Sequence, residues 1–564
     1  MAMKKISRSL GLLAVTSVMV GTIGSSVAAQ EIAEIVTGLN MVGGDVPTLD
    51  PQLAETTSSI DVINQIFLGL TAQENTDGTN EMGLASGYET TENEDGTFTY
   101  TFTLLDGVAW VRYNAETDAV EQLTDADGNA LTVTAQDVVY GMTRALDPVT
   151  ASPYSYVLLP YIVGATEFNS GTADASALAV EVVDNLTLSI TAPNGAAFAP
   201  AIYGLWMARP VLASAIEEGG DSWTEAEYIA TNGPFALKEW NHDESIVIVR
   251  NPFWVGTDSI PAATLDQVTF RFLDPAAQLA EFQAGTLQAS TIPVEEIVRV
   301  QNDPVLSAQY VTGGNPCTYY IGFDTTEAPT NNVHLRRALS LAIDRESIVT
   351  NVTRGGQTAA QWFGYPGLNA ALTPELNPDA GITHNPEEAA AEFAVALEEL
   401  GTTADGLGLS LSYGDNAGHA AIAQAVQQMW TDTLGLTVTL NPMDSSTYFA
   451  TISQDAPPAY RAGWCQDYGD VNNFLFDVFH SASSQNDTGF SSPEYDALVE
   501  EARLMTDVDA RREIYVQAEE ILVDEVAAVA PIYFYATNYL VSDTVERPVS
   551  ITGNETYYDW SLAQ

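Results

Sequence analysis

Cations are what this chain most lacks. Its 564 residues hold 75 acidic side chains against 19 lysines and arginines, a formal charge of −56. After Lys4 and Lys5 the only lysine is Lys238. Nucleic acids and anionic membrane surfaces are bound through Lys/Arg stripes, so this balance argues against both as partners. A Walker A phosphate loop is excluded, because Lys238 is not preceded by glycine and is followed by Glu239. The histidines (His242, His334, His384, His419, His480) are dispersed, and none opens a His-Glu-x-x-His zinc motif. Cysteine is limited to two residues, too few for a four-thiolate zinc site. Gly-x-Ser-x-Gly, Gly-x-Gly-x-x-Gly and the EF-hand calcium loop are missing as well. Carboxylate pairs suited to glycoside hydrolysis are too numerous for any one to stand out. The sequence therefore assigns no metal, no cofactor and no catalytic set, and no late segment reads as a transmembrane span.

What is present starts with an export signal. Lys4, Lys5 and Arg8 form a basic region, and residues 10–20 form an apolar core too short to cross a bilayer. Ser26-Val27-Ala28 or Val27-Ala28-Ala29 supplies the cleavage site, so residues 1–29 are expected to be removed. Losing the first 28 residues removes three cations and no acid, taking the charge from −56 to −59. No cysteine lies near the cleavage site to carry a lipid anchor, and a periplasmic location is expected. In an oxidising compartment the simplest reading of Cys317 and Cys465 is one disulfide; reduced, buried thiols are the alternative. Closing the 148-residue loop between them stabilises a fold by about 5 kcal/mol on the chain-entropy model. The acidic, lysine-poor composition matches the surfaces of salt-adapted proteins, where salt screens self-repulsion.

A chain of this length exceeds one compact core, so at least two domains are expected. Hydrophobic content of 46% excludes general disorder. Alternation predicts strands over 98–104 and 245–249. Helical periodicity predicts helices over 333–349, 386–400, 420–434, 493–505 and 508–526, the last capped by Asp507. Strand-like runs between them indicate an α/β organisation.

An ordered set of motifs then narrows the reading. It runs from Leu49-Asp50-Pro51-Gln52 and Ile66-Phe67-Leu68-Gly69-Leu70 through residues 99–108 and 131–140 to Asp147-Pro148 with Ser152-Pro153-Tyr154-Ser155-Tyr156. Thr231-Asn232-Gly233-Pro234-Phe235, Arg250-Asn251-Pro252-Phe253-Trp254 and residues 333–349 continue it. The set resembles the peptide/nickel-type solute-binding proteins of ABC importers, family 5, over nearly the whole exported chain. Cys317-Thr318-Tyr319-Tyr320 and the segment 461–468 are most similar to the periplasmic oligopeptide-binding proteins, in which the equivalent cysteines form a disulfide beside the ligand cleft.

The resemblance implies a periplasmic-binding-protein type II clamshell. Lobe I would comprise 30–71, 213–314 and 540–564, with a small domain, 72–212, inserted in it. Lobe II would run over 315–539, with hinge strands crossing near 314 and 540. It implies a monomer that captures an oligopeptide and hands it to ABC permease subunits, without enzymatic activity. The same fold carrying a murein peptide, a sugar or a metal chelate is the alternative, and a secreted hydrolase a more distant one.

A free peptide presents an ammonium, a carboxylate and a row of amides. The ammonium needs a buried carboxylate, a role the resemblance gives to Asp467. The amides need exposed strand-like edges, supplied by Gly463, Trp464 and Cys465 and by the segment from Glu55 to Thr57. The carboxylate needs a cation, for which Arg461 and His419 match the family's basic residues. Arg354 lies one place from a further basic position. Tyr156 and Trp464 would form apolar walls, with Tyr533 and Tyr535 as further candidates. Each residue also has a plain reading: Asp467 and Glu55 as solvated acids, His419 as a surface residue at a helix start, the aromatics as core. The stretch between Asn441 and Tyr460 lacks a tryptophan and an arginine typical of the family, and the run after Tyr468 also departs from it.

Overall fold

The computed structural model describes residues 32–39, 44–76 and 78–563. The expected signal segment lies outside the described residues. The backbone of the fold is a mixed sheet, eleven-stranded among the described residues, whose two longest strands, Tyr310–Phe323 and Val529–Val541, run antiparallel through its middle. On one side of this pair lie Ala289–Thr291, Glu34–Leu39, Gln267–Phe272, Ser245–Arg250 and Phe235–Asn241; on the other lie Ala459–Cys465, Ser410–Gly414 and Thr439–Met443; the eleventh, Thr358–Ala359, pairs with Val529–Val541 off this path. The register of the long pair breaks between Gly314 and Thr318. Pro316 sits in the break, where its missing N–H leaves no ladder bond unmade.

Two large apolar cores flank the break. One gathers buried side chains from Ile35 to Ala289 and from Val541 to Trp560, with Tyr468; the other gathers them from the range Tyr319 to Phe534. A separate antiparallel sheet, ordered Ala85–Glu92, Phe98–Leu104, Thr187–Ala192 and Val180–Asp184, packs into the first core. The result is a mixed α/β clamshell of two lobes.

Several sequence motifs serve this frame. Asp50 accepts bonds from Arg144 at 2.7 and 2.5 Å, and the same arginine reaches the Gln52 side chain at 2.7 Å. Asn232 accepts from the Leu68 amide at 2.9 Å, and Asn251 donates to the Gly233 carbonyl at 2.8 Å. Gly233 is required by close approach, since a Cβ there would stand 2.6 Å from the Ile66 backbone.

The strand expected at 98–104 and the helix expected at 386–400 are found with those bounds. Asp507 caps Val508–Glu520, accepting from the Asp509 and Ala510 amides at 3.0 Å. The helix expected over 333–349 is instead broken: Val333–Leu341 ends, and a new turn starts at Arg345. Asp344 caps that turn through the Ser347 amide at 2.9 Å. The buried Arg345 guanidinium fills the break, donating to the Ser340, Ile343 and Pro531 carbonyls. Both pieces keep apolar period, so the pattern alone conceals the interruption.

Candidate functional site

A cavity of about 1970 Å³ opens between the lobes. Pockets for drug-sized ligands run to roughly 300–1,000 Å³, so this one accommodates a larger, extended molecule. Its wall includes Glu55, Thr57, Arg461, Gly463, Trp464, Cys465 and Asp467.

The strand Ala459–Cys465 forms one side of this wall. It pairs along its length with the long strand Tyr310–Phe323, from Phe323 opposite Ala459 to Cys317 opposite Cys465. The disulfide joins that last pair, Cys317 to Cys465. On the other side, the parallel strand Ser410–Gly414 reaches only Ala459 and Tyr460. The Tyr448 hydroxyl donates to the Arg461 carbonyl just beyond. From Ala462 to Cys465 the outer edge has no strand partner among the described residues, and it faces the cavity. Unpaired strand edges offer alternating N–H and C=O groups to an added chain.

Asp467 stands where this edge ends. Its backbone N–H donates to the Asn473 Oδ1 at 2.8 Å, and the Asn473 amide returns a bond to the carboxylate at 2.9 Å. Asn473 also accepts from the Trp464 indole at 3.2 Å, so one side chain orients both. No cation pairs with Asp467 among the described residues. Burial pushes its carboxyl up to about 7, with the Asn473 bond opposing and Asp477 adding to the rise. The residue keeps some exposure to the cavity, yet protein atoms surround it on the other sides, and desolvation governs its charge. Tyr154, also in the wall, lies within the fields of both Asp467 and Glu55, placing those two carboxylates about one phenol.

Arg461 carries the opposite charge. Its guanidinium stacks over Tyr319 at 4.7 Å and donates to the Tyr535 hydroxyl at 2.6 Å, with no carboxylate partner among the described residues and its Nε unbonded. Two residues expected in the site stand outside the lining. Tyr156 lies behind Tyr154, with ring centroids 5.5 Å apart, and its buried hydroxyl is unbonded. His419 rests against Tyr319, 5.7 Å between centroids. Burial and then the Arg461 guanidinium push its imidazole down to about 3, so it is neutral at physiological pH. Arg354, Tyr533 and Tyr535 are likewise outside the lining, although Tyr535 orients Arg461.

Sequence reasoning passed over Tyr154, Asp61 and Asp487, which line the cavity, and Asn473, which holds Asp467. It also missed Gln466, which links segments far apart in the chain, donating to the Gln73 side chain at 3.1 Å and the Thr552 carbonyl at 3.2 Å. Asn472 does the same through Tyr161 at 3.0 Å, and Phe198 stacks on Tyr468 at 5.4 Å. No helix among the described residues is long and apolar enough to cross a membrane, and none of their His, Cys, Asp and Glu side chains group as a metal site.

Comparison with known proteins gives the family of the chain. The family model for bacterial extracellular solute-binding proteins, family 5, matches residues 49–486. The Oligopeptide-binding protein OppA of Bacillus subtilis is 32% identical over 526 residues, covering 91% of this chain and 90% of the relative. The Periplasmic oligopeptide-binding protein OppA of Escherichia coli is 31% identical, covering 92% and 90%. Among solved structures, the Escherichia coli murein tripeptide binding protein MppA superposes with a TM-score of 0.79 at 27% identity, covering 95% and 99% of the two chains. Haemophilus influenzae OppA in complex with the peptide RPPGFSPFR gives 0.77 at 25% identity, covering 95% and 100%. The chain thus belongs to the bacterial extracellular solute-binding proteins of family 5.

Proposed function

We propose that this protein captures oligopeptides by their ends and backbone and delivers them to the permease of an ABC importer. The observation that carries the reading is Asp467, a desolvated carboxylate in the cavity wall with no cation of its own among the described residues. A peptide ammonium supplies that cation, with Glu55 as a second acid nearby. The open edge from Ala462 to Cys465 takes the backbone as an added strand, and such contacts ignore side-chain identity. Arg461 takes the terminal carboxylate, and Trp464 and Tyr154 give apolar wall. The two unpaired charges favour a zwitterion over a neutral sugar. The reading assigns no catalytic group.

The lobes are taken to divide as 30–71, 213–314 and 540–564 for the first, with 72–212 inserted, and 315–539 for the second. The register break between Gly314 and Thr318 supports a hinge there. Ligand contacts to both sides then favour closure.

Calorimetry with mixed tri- to pentapeptides tests the reading. Binding is expected, and acetylating the peptide N-terminus should abolish most of it. Absence of both heat and thermal shift with every peptide would sink the proposal. A murein peptide presents the same groups and is the ligand named for one relative; native mass spectrometry of the protein as purified separates the two cargoes.

A further inference from the structure

Resting on the peptide-binding reading, a charge balance around the cavity remains open. A zwitterionic backbone satisfies Asp467 and Arg461. Elsewhere in the wall, Arg547 is bound to Glu555, and Arg209 donates to the Ile63 and Phe67 carbonyls at 3.2 and 3.1 Å. Besides Asp61, which lies in the field of Glu555, Asp487 is left over. It lines the cavity, its carboxylate has neither a hydrogen-bond donor nor a cation among the described residues, and burial pushes it up to about 6.

The surroundings of Asp487 are as informative as its charge. Its field reaches the Tyr320, Tyr448 and Tyr460 hydroxyls. Tyr320 and Tyr448 also feel the Arg461 guanidinium, so Asp487 lies toward the Arg461 part of the cavity. The Tyr448 ring packs on Phe449, centroids 5.8 Å apart, and with Ile452 and Tyr460 it forms a small apolar cluster. Phe449 keeps 58% of its surface open although it lines the cavity. An open aromatic face and an unpaired carboxylate in one wall, both neighbours of Tyr448, match one kind of side chain: a long apolar stem with a cationic tip, as in lysine and arginine. The aromatic ring also attracts such a cation.

We propose that Asp487 and Phe449 form a side-chain subsite that selects lysine or arginine in the part of the bound peptide nearer its carboxylate end. The protein would then bind backbones generally while favouring basic peptides at one position.

The test measures affinities for a trialanine to pentaalanine set and for the same peptides with one lysine moved through each position. At one position near the carboxylate end, lysine is expected to bind at least tenfold tighter than alanine. Asp487→Asn should bring that ratio close to one, and Asp487→Lys should invert it in favour of glutamate at the same position. Equal affinities for lysine and alanine peptides in the wild type, or a preference that survives Asp487→Asn in a variant with unchanged melting temperature, would overturn the subsite. That failure is distinguishable from failure of the peptide-binding reading, in which the alanine peptides themselves give no signal.

Discussion

Asp467 and Asp470 stand three residues apart and are treated in opposite ways. Asp470 accepts two bonds from Arg511, at 2.8 and 2.6 Å, in a pair whose side chains keep 2% and 1% of their surface. Asp467 receives one neutral amide and faces the cavity. Arg511 neutralises a carboxylate that the fold buries. A buried carboxylate left without one, at the end of an open strand edge, is positioned for a cation from outside. Such a site opposes stability until the ligand arrives.

The contrast is broken most directly at Arg511. Arg511→Met leaves Asp470 buried and uncompensated, with an expected loss of about 3–5 kcal/mol of folding stability. Thermal denaturation reads it, and an unchanged melting temperature would erase the structural half of the comparison. Asp467→Ala should do the reverse. It is expected to cost about 2–5 kcal/mol of peptide affinity by leaving the ammonium unpaired, while the unliganded protein melts no lower than wild type. An unaltered dissociation constant would remove Asp467 from the site.

Acidity sharpens the same comparison with smaller steps. The Asp467 carboxyl sits near 7 in the fold, against about 3.9 for a free aspartate. Only the carboxylate pairs with an ammonium, so affinity should fall roughly tenfold per pH unit as pH drops below about 7. Stability moves the other way. Between the two values the native state binds more protons than the unfolded chain, so this group opposes folding fully above about 7 and progressively less as pH falls toward 4. Acidification from pH 8 to 5 should therefore raise its contribution to unliganded stability while weakening binding. Calorimetry and melting curves across that range test both signs; Asp467→Asn should flatten the binding profile and make the stability profile shallower, the rest of it coming from Asp61 and Glu519, pushed up to about 7, and Asp477 and Asp487, pushed up to about 6. Parallel trends in the wild type would contradict the assignment.

The sequence made the family and its mixed α/β fold legible, because their motifs are local runs whose order survives divergence. Partners created by folding were not legible. Asn473 lies in a stretch that departs from the family's run, and nothing local indicates that its amide turns back to Asp467. Tyr154 and Tyr156 are two residues apart around the short helix Ser155–Leu158, where successive side chains diverge, so only Tyr154 reaches the cavity wall. His419 matched by position, but its charge depends on burial and on Arg461, which no linear pattern carries. Asp487 was one acid among many until its missing partner could be seen.

Asn473 provides the finest test of how Asp467 is held. Its amide bonds the carboxylate and favours the ionised form, while its oxygen fixes the Asp467 backbone and the Trp464 indole. Asn473→Ala removes a bond to a charged group, which typically contributes about 1.5–3 kcal/mol, partly replaced here by water entering the cavity. The expected loss of affinity is therefore below that of Asp467→Ala, near 1 kcal/mol. The midpoint of the affinity–pH profile should also move upward, because the ionised carboxylate loses its only side-chain donor among the described residues. A purely structural role for Asn473 would lower the melting temperature and leave that midpoint in place, so the pH profile, more than the affinity, decides whether this amide serves the fold or tunes the carboxylate.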